Sequence, residues 1–384
     1  MPSLEGLGLS RERLRHDRGA VATVFAILLA GGVLLGMLAI VVDMGQLYAE
    51  REELQSGADA AVIALAEKCA RAETAGDCSM ADLATIAASY ANLNARDGAS
   101  TILEICGNVP LSIGIGACTD PVDNLTDCIP GEATGSAKYV EVRTGTQTSD
   151  DKYLLPPTFA QMLLGNGDYA GSAVRACARA SWGAPAAGLA VTFSLCEWNL
   201  ATASGTDFPD KPPYPPNTIP NASYQQVLKV HDSRGNPACP QGPSGFDRPG
   251  GFGWLVDSGP QDCQTSIFVA DPGTSPSSQC IDALDGATDS TADAEVFYIP
   301  IYDTVTRQGS NTTYHIVGVA AFVPTGYFFG NGNGRHKASW LTGGELCSGQ
   351  ERCIYGYFVD VLGPGNISTD DLQSFGATVI SLVG

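Results

Sequence analysis

Hydrophobic positions fall into three patterns along this chain, and the first is an unbroken block. Residues 19–42, GAVATVFAILLAGGVLLGMLAIVV, carry no charge, and Arg11, Arg13, Arg15 and Arg18 precede them. At about 1.5 Å of rise per residue a helix of that length reaches roughly 36 Å, against about 30 Å for a bilayer's hydrocarbon core. The block exceeds the roughly 7–15 apolar residues at the centre of a cleaved signal peptide. The sequence DMGQLYAEREELQ follows it, without a small-residue cleavage site. The pattern predicts an uncleaved single-pass transmembrane helix over 19–42. Residues 1–18 form a basic cytoplasmic tail, and the chain from Asp43 onward lies outside.

The second pattern is helical. Between Gln46 and Ala72 there is no proline, and Leu47, Leu54, Ala58, Ala61 and Leu65 mark one helix face. The membrane helix is therefore expected to continue into a stalk. Its small residues either admit a neighbouring helix or pack on the protein's own outer region. Gly32 and Gly36 add a small-xxx-small pair of the kind that supports helix contacts in membranes. A further helix is expected over 80–94, with Ser79 as its N-cap, and a short one over 158–164.

The third pattern is alternation or short apolar runs between Gly/Pro/Asn/Asp-rich loops, which reads as strand. Strands are expected over 139–144, 173–182, 189–195, 226–232, 266–270, 295–303, 314–323 and 353–362. The fold class is α+β: a long amino-terminal helix and stalk, then disulfide-containing mixed and β-rich extracellular modules. The expected organisation is a tail at 1–18, the transmembrane helix at 19–42, the stalk with a first α+β module at 43–182, a linker at 183–188 and a β-rich module at 189–384.

Charge and cysteine content sharpen the compartment. The chain has a net charge of −20; residues 1–18 hold 4 basic and 3 acidic side chains, leaving −21 on the remainder. Such a surface repels nucleic-acid phosphates and anionic headgroups, so no nucleic-acid partner is expected. Cys69, Cys78, Cys106, Cys118, Cys128, Cys177, Cys196, Cys239, Cys263, Cys280, Cys347 and Cys353 all lie beyond the apolar block, six on each side of 183–188. An even number on the exported side reads as disulfides. Zinc sites use pairs spaced by two to four residues, and the tightest pair here has five between, so no metal is expected. Cys69 with Cys78 and Cys347 with Cys353 are the natural close pairs; the remaining connectivity is open.

Candidate chemistry is sparse. His231, Asp232 and Ser233 are adjacent in sequence, whereas a triad is recognised by convergence in space. No Gly-x-Ser-x-Gly or His-Glu-x-x-His string occurs. His315 sits in an apolar strand pattern and reads as packed. The stretch 330–337, GNGNGRHK, lacks the following helix that a phosphate cradle needs and reads as a surface loop. The acidic stretch 282–295 misses EF-hand spacing and reads as a solvated loop. The aromatic runs at 325–329 and 355–361 alternate as core strands do. No catalytic role and no cofactor is expected.

One specific likeness remains. Arg18-Gly19, FAILL at 25–29, VVDMGQLY at 41–48 with Asp43, Gly45 and Tyr48, then Leu54-Gln55 and ADAAVIALA at 58–66 with Asp59, resemble the amino-terminal anchor of TadE/TadG-like proteins of the bacterial Flp (tight adherence) pilus machinery. The resemblance implies packing beside other pilus-assembly components in the membrane. Pilin-type relatives carry Glu five residues after the Gly; here that residue is Val24, so cleavage between Gly19 and Ala20 and a major-subunit role are not implied. Nor does the chain contain the Asp-x-Ser-x-Ser metal motif of some TadG proteins. The expectation is an accessory or minor pilin-like component with a surface-displayed, disulfide-bonded ectodomain. The alternatives are a pilus-independent membrane-tethered adhesin or ligand-binding protein and an anchored exoenzyme.

Overall fold

A computed structural model describes residues 9–72, 77–110, 112, 114–119, 138–159, 170–215, 218–229, 238–239, 252–255, 263–265, 272–273, 276–306, 313–330 and 335–383. Two helices lead, α1 (Leu9–Ala30) and α2 (Val33–Ala70), and α3 (Met80–Asn94) follows. The apolar block is thus not one helix. Gly32 takes φ 71°, a left-handed conformation that ends a right-handed helix and suits a residue without Cβ. Among the described residues no helix is long and apolar enough to cross a membrane, which corrects the expected single helix over 19–42. The stalk expectation fits better: α2 continues through Asp43 without a break, spanning about 57 Å for its 38 residues.

After α3 come β1 (Ser100–Asn108), β2 (Lys138–Thr146), β3 (Arg175–Gly183), β4 (Gly188–Leu189), β5 (Val191–Ser194), α4 (Leu195–Ala201) and β6 (Gln226–Lys229). Then follow β7 (Phe252–Leu255), β8 (Gln264–Thr265), β9 (Pro272–Gly273), α5 (Ser278–Ala287), β10 (Phe297–Thr306) and β11 (Thr313–Phe328). The chain ends with β12 (His336–Lys337), β13 (Cys353–Val359), β14 (Val361–Pro364), β15 (Gln373–Phe375) and β16 (Ala377–Leu382).

Two main sheets result. The first has the order β1-β2-β3-β16-β14, and the larger runs β6-β13-β11-β10-β5-β7-β9 with β12 and β15 also on β11. Val142 faces Ala178, and Val140 faces Ala180, across the antiparallel β2–β3 pair. These side chains meet α2 and α3 in one core with Trp182 and Ile380. The helices approach closely because Gly57 has no side chain; a Cβ there would sit 3.2 Å from the Ala91 backbone. The larger sheet holds an aromatic core in which Phe193, Phe322 and Phe358 contact one another edge to face. Tyr327, Phe328, Tyr355, Tyr357 and Phe358 are buried, as the alternation at 325–329 and 355–361 predicts.

The sheets are not divided in sequence where the linker was expected. Strand β16 pairs with β3, and β14 with β16, so the first sheet draws on residues 361–382. Gly183 closes β3, Gly188 opens β4, and the Ala184 carbonyl and Ala186 N–H bond to Ser368 and Asn366. Residues 183–188 are therefore a stitched crossing between sheets. Small Ala and Gly side chains allow that close backbone pairing.

Five disulfides join Cys69–Cys78, Cys106–Cys118, Cys196–Cys239, Cys263–Cys280 and Cys347–Cys353. Cys177 is also disulfide-bonded, and Cys128 lies outside the described residues. The expected α3 is present with its Ser79 cap on the Asp82 N–H. The expected strand at 266–270, most of the helix at 158–164, the His231/Asp232/Ser233 group and 331–334 lie outside the described residues.

Candidate functional site

The amino-terminal helices divide into a stretch seated on the ectodomain and a stretch that is not. From Leu54 to Cys69 the small and apolar positions of α2 face the first sheet and α3. Leu54 is nearly buried, and Ala58, Ala61, Val62, Leu65 and Ala66 are fully so. The alanines let the helix lie low enough for the Thr144 hydroxyl to donate to the Leu54 carbonyl at 3.0 Å. The helix face drawn by Leu54, Ala58, Ala61 and Leu65 is thus occupied by the protein itself. Of the two readings of that stripe, packing on its own ectodomain holds, and Leu47 is half-buried above it. Gly32 and Gly36 do not form a pair on one helix: Gly32 is the interruption, and Gly36 lies within α2, donating its N–H to the Gly32 carbonyl.

Polar residues of the same segment tie α2 to the ectodomain. Asp43 accepts the backbone N–H groups of Thr158 at 2.8 Å and Phe159 at 3.0 Å, while the Thr158 hydroxyl donates to Gln46. Gln55 donates to Asp59 at 2.9 Å and to the Cys177 carbonyl at 3.0 Å. Its Oε1 is buried with no partner among the described residues. Partial burial pushes the Asp59 carboxyl above its ordinary range, opposed by the Gln55 hydrogen bond. Burial likewise raises Glu50, opposed by a hydrogen bond with Thr146 and reinforced by the nearby charges of Glu53 and Asp97. Gly45 has open space where a side chain would stand, and Tyr48 is exposed. Arg18 and Gly19 lie on the α1 backbone; their side-chain environment is outside the described residues.

The remaining stretch carries an exposed apolar surface. Val21, Phe25, Ile27, Met37, Leu38 and Val41 are each more than half exposed. Burying side chains of this size contributes roughly 1.5–3 kcal/mol apiece, so a continuous display of them marks an interaction surface.

Elsewhere, charged side chains are engaged in structural pairing. Glu141, almost fully buried on β2, bonds Arg143 at 2.8 Å and Arg179 at 2.7 Å. Arg143 also reaches Glu104 and the Thr119 carbonyl, and Arg179 lies over the Tyr139 ring. Glu141 lies near Cys106 and Cys118, but those sulfurs are joined to each other and the carboxylate is held by two guanidinium groups. That donor set does not fit a metal. His315 is exposed and pairs with Asp303 at 2.8 Å, a correction to the packed reading: Tyr314 and Ile316 on either side are buried, so alternation along β11 turns His315 outward. Residues 282–287 of the acidic stretch are helical within α5, where Asp285 accepts the Tyr327 hydroxyl. A cleft of about 1030 Å³ near the sheet crossing mixes Arg71 and Lys138 with Asp360, Asp370 and Asp371, so neither sign dominates it.

Residues 19–67 match the family described as "Putative Flp pilus-assembly TadE/G-like". No curated protein and no solved structure gives a significant match to the chain. The matched residues begin at the exposed apolar stretch and end inside the buried stripe of α2, so they take in both halves of the site. It is over residues 19–67, then, that the chain is similar to the TadE/G-like family of Flp pilus assembly.

Proposed function

We propose that this protein is a membrane-anchored accessory or minor pilin-like component of a Flp/Tad-type pilus system. The observation that carries the reading is the coincidence of the TadE/G-like match with the exposed apolar surface of residues 21–48. In this reading the membrane seat is the whole charge-free run at 19–42, its two helical pieces joined at Gly31–Gly32. Residues 1–18 stay in the cytoplasm and the cysteine-bearing remainder is displayed outside; the upstream arginines and the disulfides support that orientation.

Lateral contacts with other pilus components use the stretch above Leu54, since the stripe from Leu54 to Leu65 is already filled. The role is structural rather than catalytic: the buried charges at Glu141, Arg143 and Arg179 serve to hold the first sheet. The net charge of −21 beyond residue 18 disfavours nucleic acid as a partner. Shearing surface filaments and probing both fractions tests the reading, together with crosslinking from positions 21–48 and deletion of the gene. Crosslinks to pilus parts or altered piliation are expected. A protein that stays wholly in the membrane, crosslinks to no pilus part and leaves piliation normal when deleted overturns it in favour of a tethered adhesin.

A further inference from the structure

The ectodomain carries a second apolar surface close to the point where the charge-free run ends. Tyr153 is 60% exposed, Leu154 40% and Phe159 41%, all within seven residues of one loop. That loop is built rather than loose. The Thr148 N–H donates to the Lys152 carbonyl at 2.8 Å, and Leu155 pairs with Ser172 through both backbone groups at 2.9 and 3.2 Å. Gly171 makes the second pairing possible: with φ at 131°, a Cβ there would collide with the Leu155 carbonyl. The loop's far end is fastened to Asp43, which takes the Thr158 and Phe159 N–H groups.

The sheet's contacts on α2 run in order toward the same point. Thr144 meets the Leu54 carbonyl, Thr146 meets Glu50, and Thr158 meets Gln46 and Asp43. From Glu50 back to Asp43 is about 10 Å along the helix axis. The headgroup layer on each side of a bilayer is about 5–8 Å thick, the difference between core and total thickness divided over two leaflets. A loop fastened at Asp43 therefore lies within that layer when residues 19–42 occupy the core. Tyr48, 62% exposed and about 7.5 Å beyond Asp43 on α2, lies at the outer edge of that layer.

We propose that Tyr153, Leu154 and Phe159, with Tyr48, form an interfacial contact that rests the base of the ectodomain on the outer surface of the bilayer. The inference depends on residues 19–42 being membrane-seated, as proposed above. Aromatic rings that are apolar in body and polar at the edge favour this zone, and apolar side chains held outward by a fixed loop enter it without an ordering cost. The acidic ectodomain points to zwitterionic rather than anionic headgroups. The contact would fix the tilt of the ectodomain relative to the membrane, through the Asp43 fastening.

The test is photolabelling of the full chain in phosphatidylcholine vesicles containing a diazirine-bearing phosphatidylcholine, with adducts mapped by mass spectrometry. Leu200 and Ile219, exposed apolar residues of the segment that follows β5, serve as internal references. Adducts at 19–42 together with adducts at 153–159 several-fold above those references are expected. Labelling at 19–42 with 153–159 no higher than the references overturns the interfacial contact and leaves the membrane seat standing. Absence of labelling at 19–42 overturns the membrane seat and this inference with it.

Discussion

Replacing Leu65 by Ala separates two uses of the stripe on α2. Leu65 is fully buried against the first sheet and α3, whereas Leu47, on the same stripe five turns earlier, is half-buried. Truncating Leu to Ala removes three carbon groups, worth about 2.4 kcal/mol at roughly 0.8 kcal/mol each. The cavity left among Ala61, Val62, Leu83 and Val142 adds to that, and fully buried Leu→Ala changes span about 2.7–5 kcal/mol. We therefore expect Leu65→Ala to cost about 3–4 kcal/mol and Leu47→Ala less than about 1 kcal/mol. Urea denaturation of the full chain in detergent, under non-reducing conditions and followed by tryptophan fluorescence, measures both; Trp182 lies in the same core. The reverse is expected in crosslinking to neighbouring subunits, where Leu47→Ala has the larger effect. Equal costs for the two substitutions, or a Leu65→Ala cost below about 1 kcal/mol, would refute the assignment of the stripe to the protein's own core.

Three other outcomes follow from the same structure. Glu141→Gln removes the charge shared by Arg143 and Arg179, and breaking a buried pair costs about 3–5 kcal/mol, read as a lower urea midpoint; a change within about 0.5 kcal/mol would mean that those guanidinium groups are solvated. Asp59→Asn tests the raised carboxyl. A carboxyl raised by folding binds more protons folded than unfolded, so its contribution to stability falls as pH rises from its ordinary 3.8 through the folded value. The Asn variant should accordingly gain on the native protein at neutral pH, with the gap closing on acidification, and a gap that widens toward acid contradicts the sign. Replacing both Cys69 and Cys78 by Ser opens the short α2–α3 loop. The chain-entropy relation gives a loss of about 2.5–3 kcal/mol for a loop of this size, measurable as a lower denaturation midpoint at constant slope.

Much of the local structure was legible because its signals are local. Ser79 as an N-cap announces α3, and the core strands at 139–144, 314–323 and 353–362 are visible as alternation or apolar runs. Cys69–Cys78 and Cys347–Cys353 follow from proximity, because short loops close at low entropic cost. Cys196–Cys239 spans 43 residues and has no such signal. The motif residues Asp43, Gln55 and Asp59 were found by likeness alone. Asp59 pairs locally with Gln55, but the partners of Asp43 and Gln55 on the ectodomain, the Thr158 and Phe159 backbone and the Cys177 carbonyl, lie more than a hundred residues away and leave no mark on local pattern.

By itself the sequence determined the composition of this protein's surfaces: a charge-free run at 19–42, a helix face of small residues after it, and a cysteine-stapled acidic remainder. These are properties of neighbours a few residues apart, set by side-chain size, charge and backbone freedom. Only the tertiary structure decided what each surface meets. It turned the alanine stripe inward, because the first sheet fits against it. It broke the apolar run at Gly32, whose left-handed conformation no periodicity displays. It also brought β16 back to β3, joining residues 377–382 to a sheet begun at residue 100. Such choices depend on contacts distant in sequence, in which one surface is buried by another that only folding brings to it.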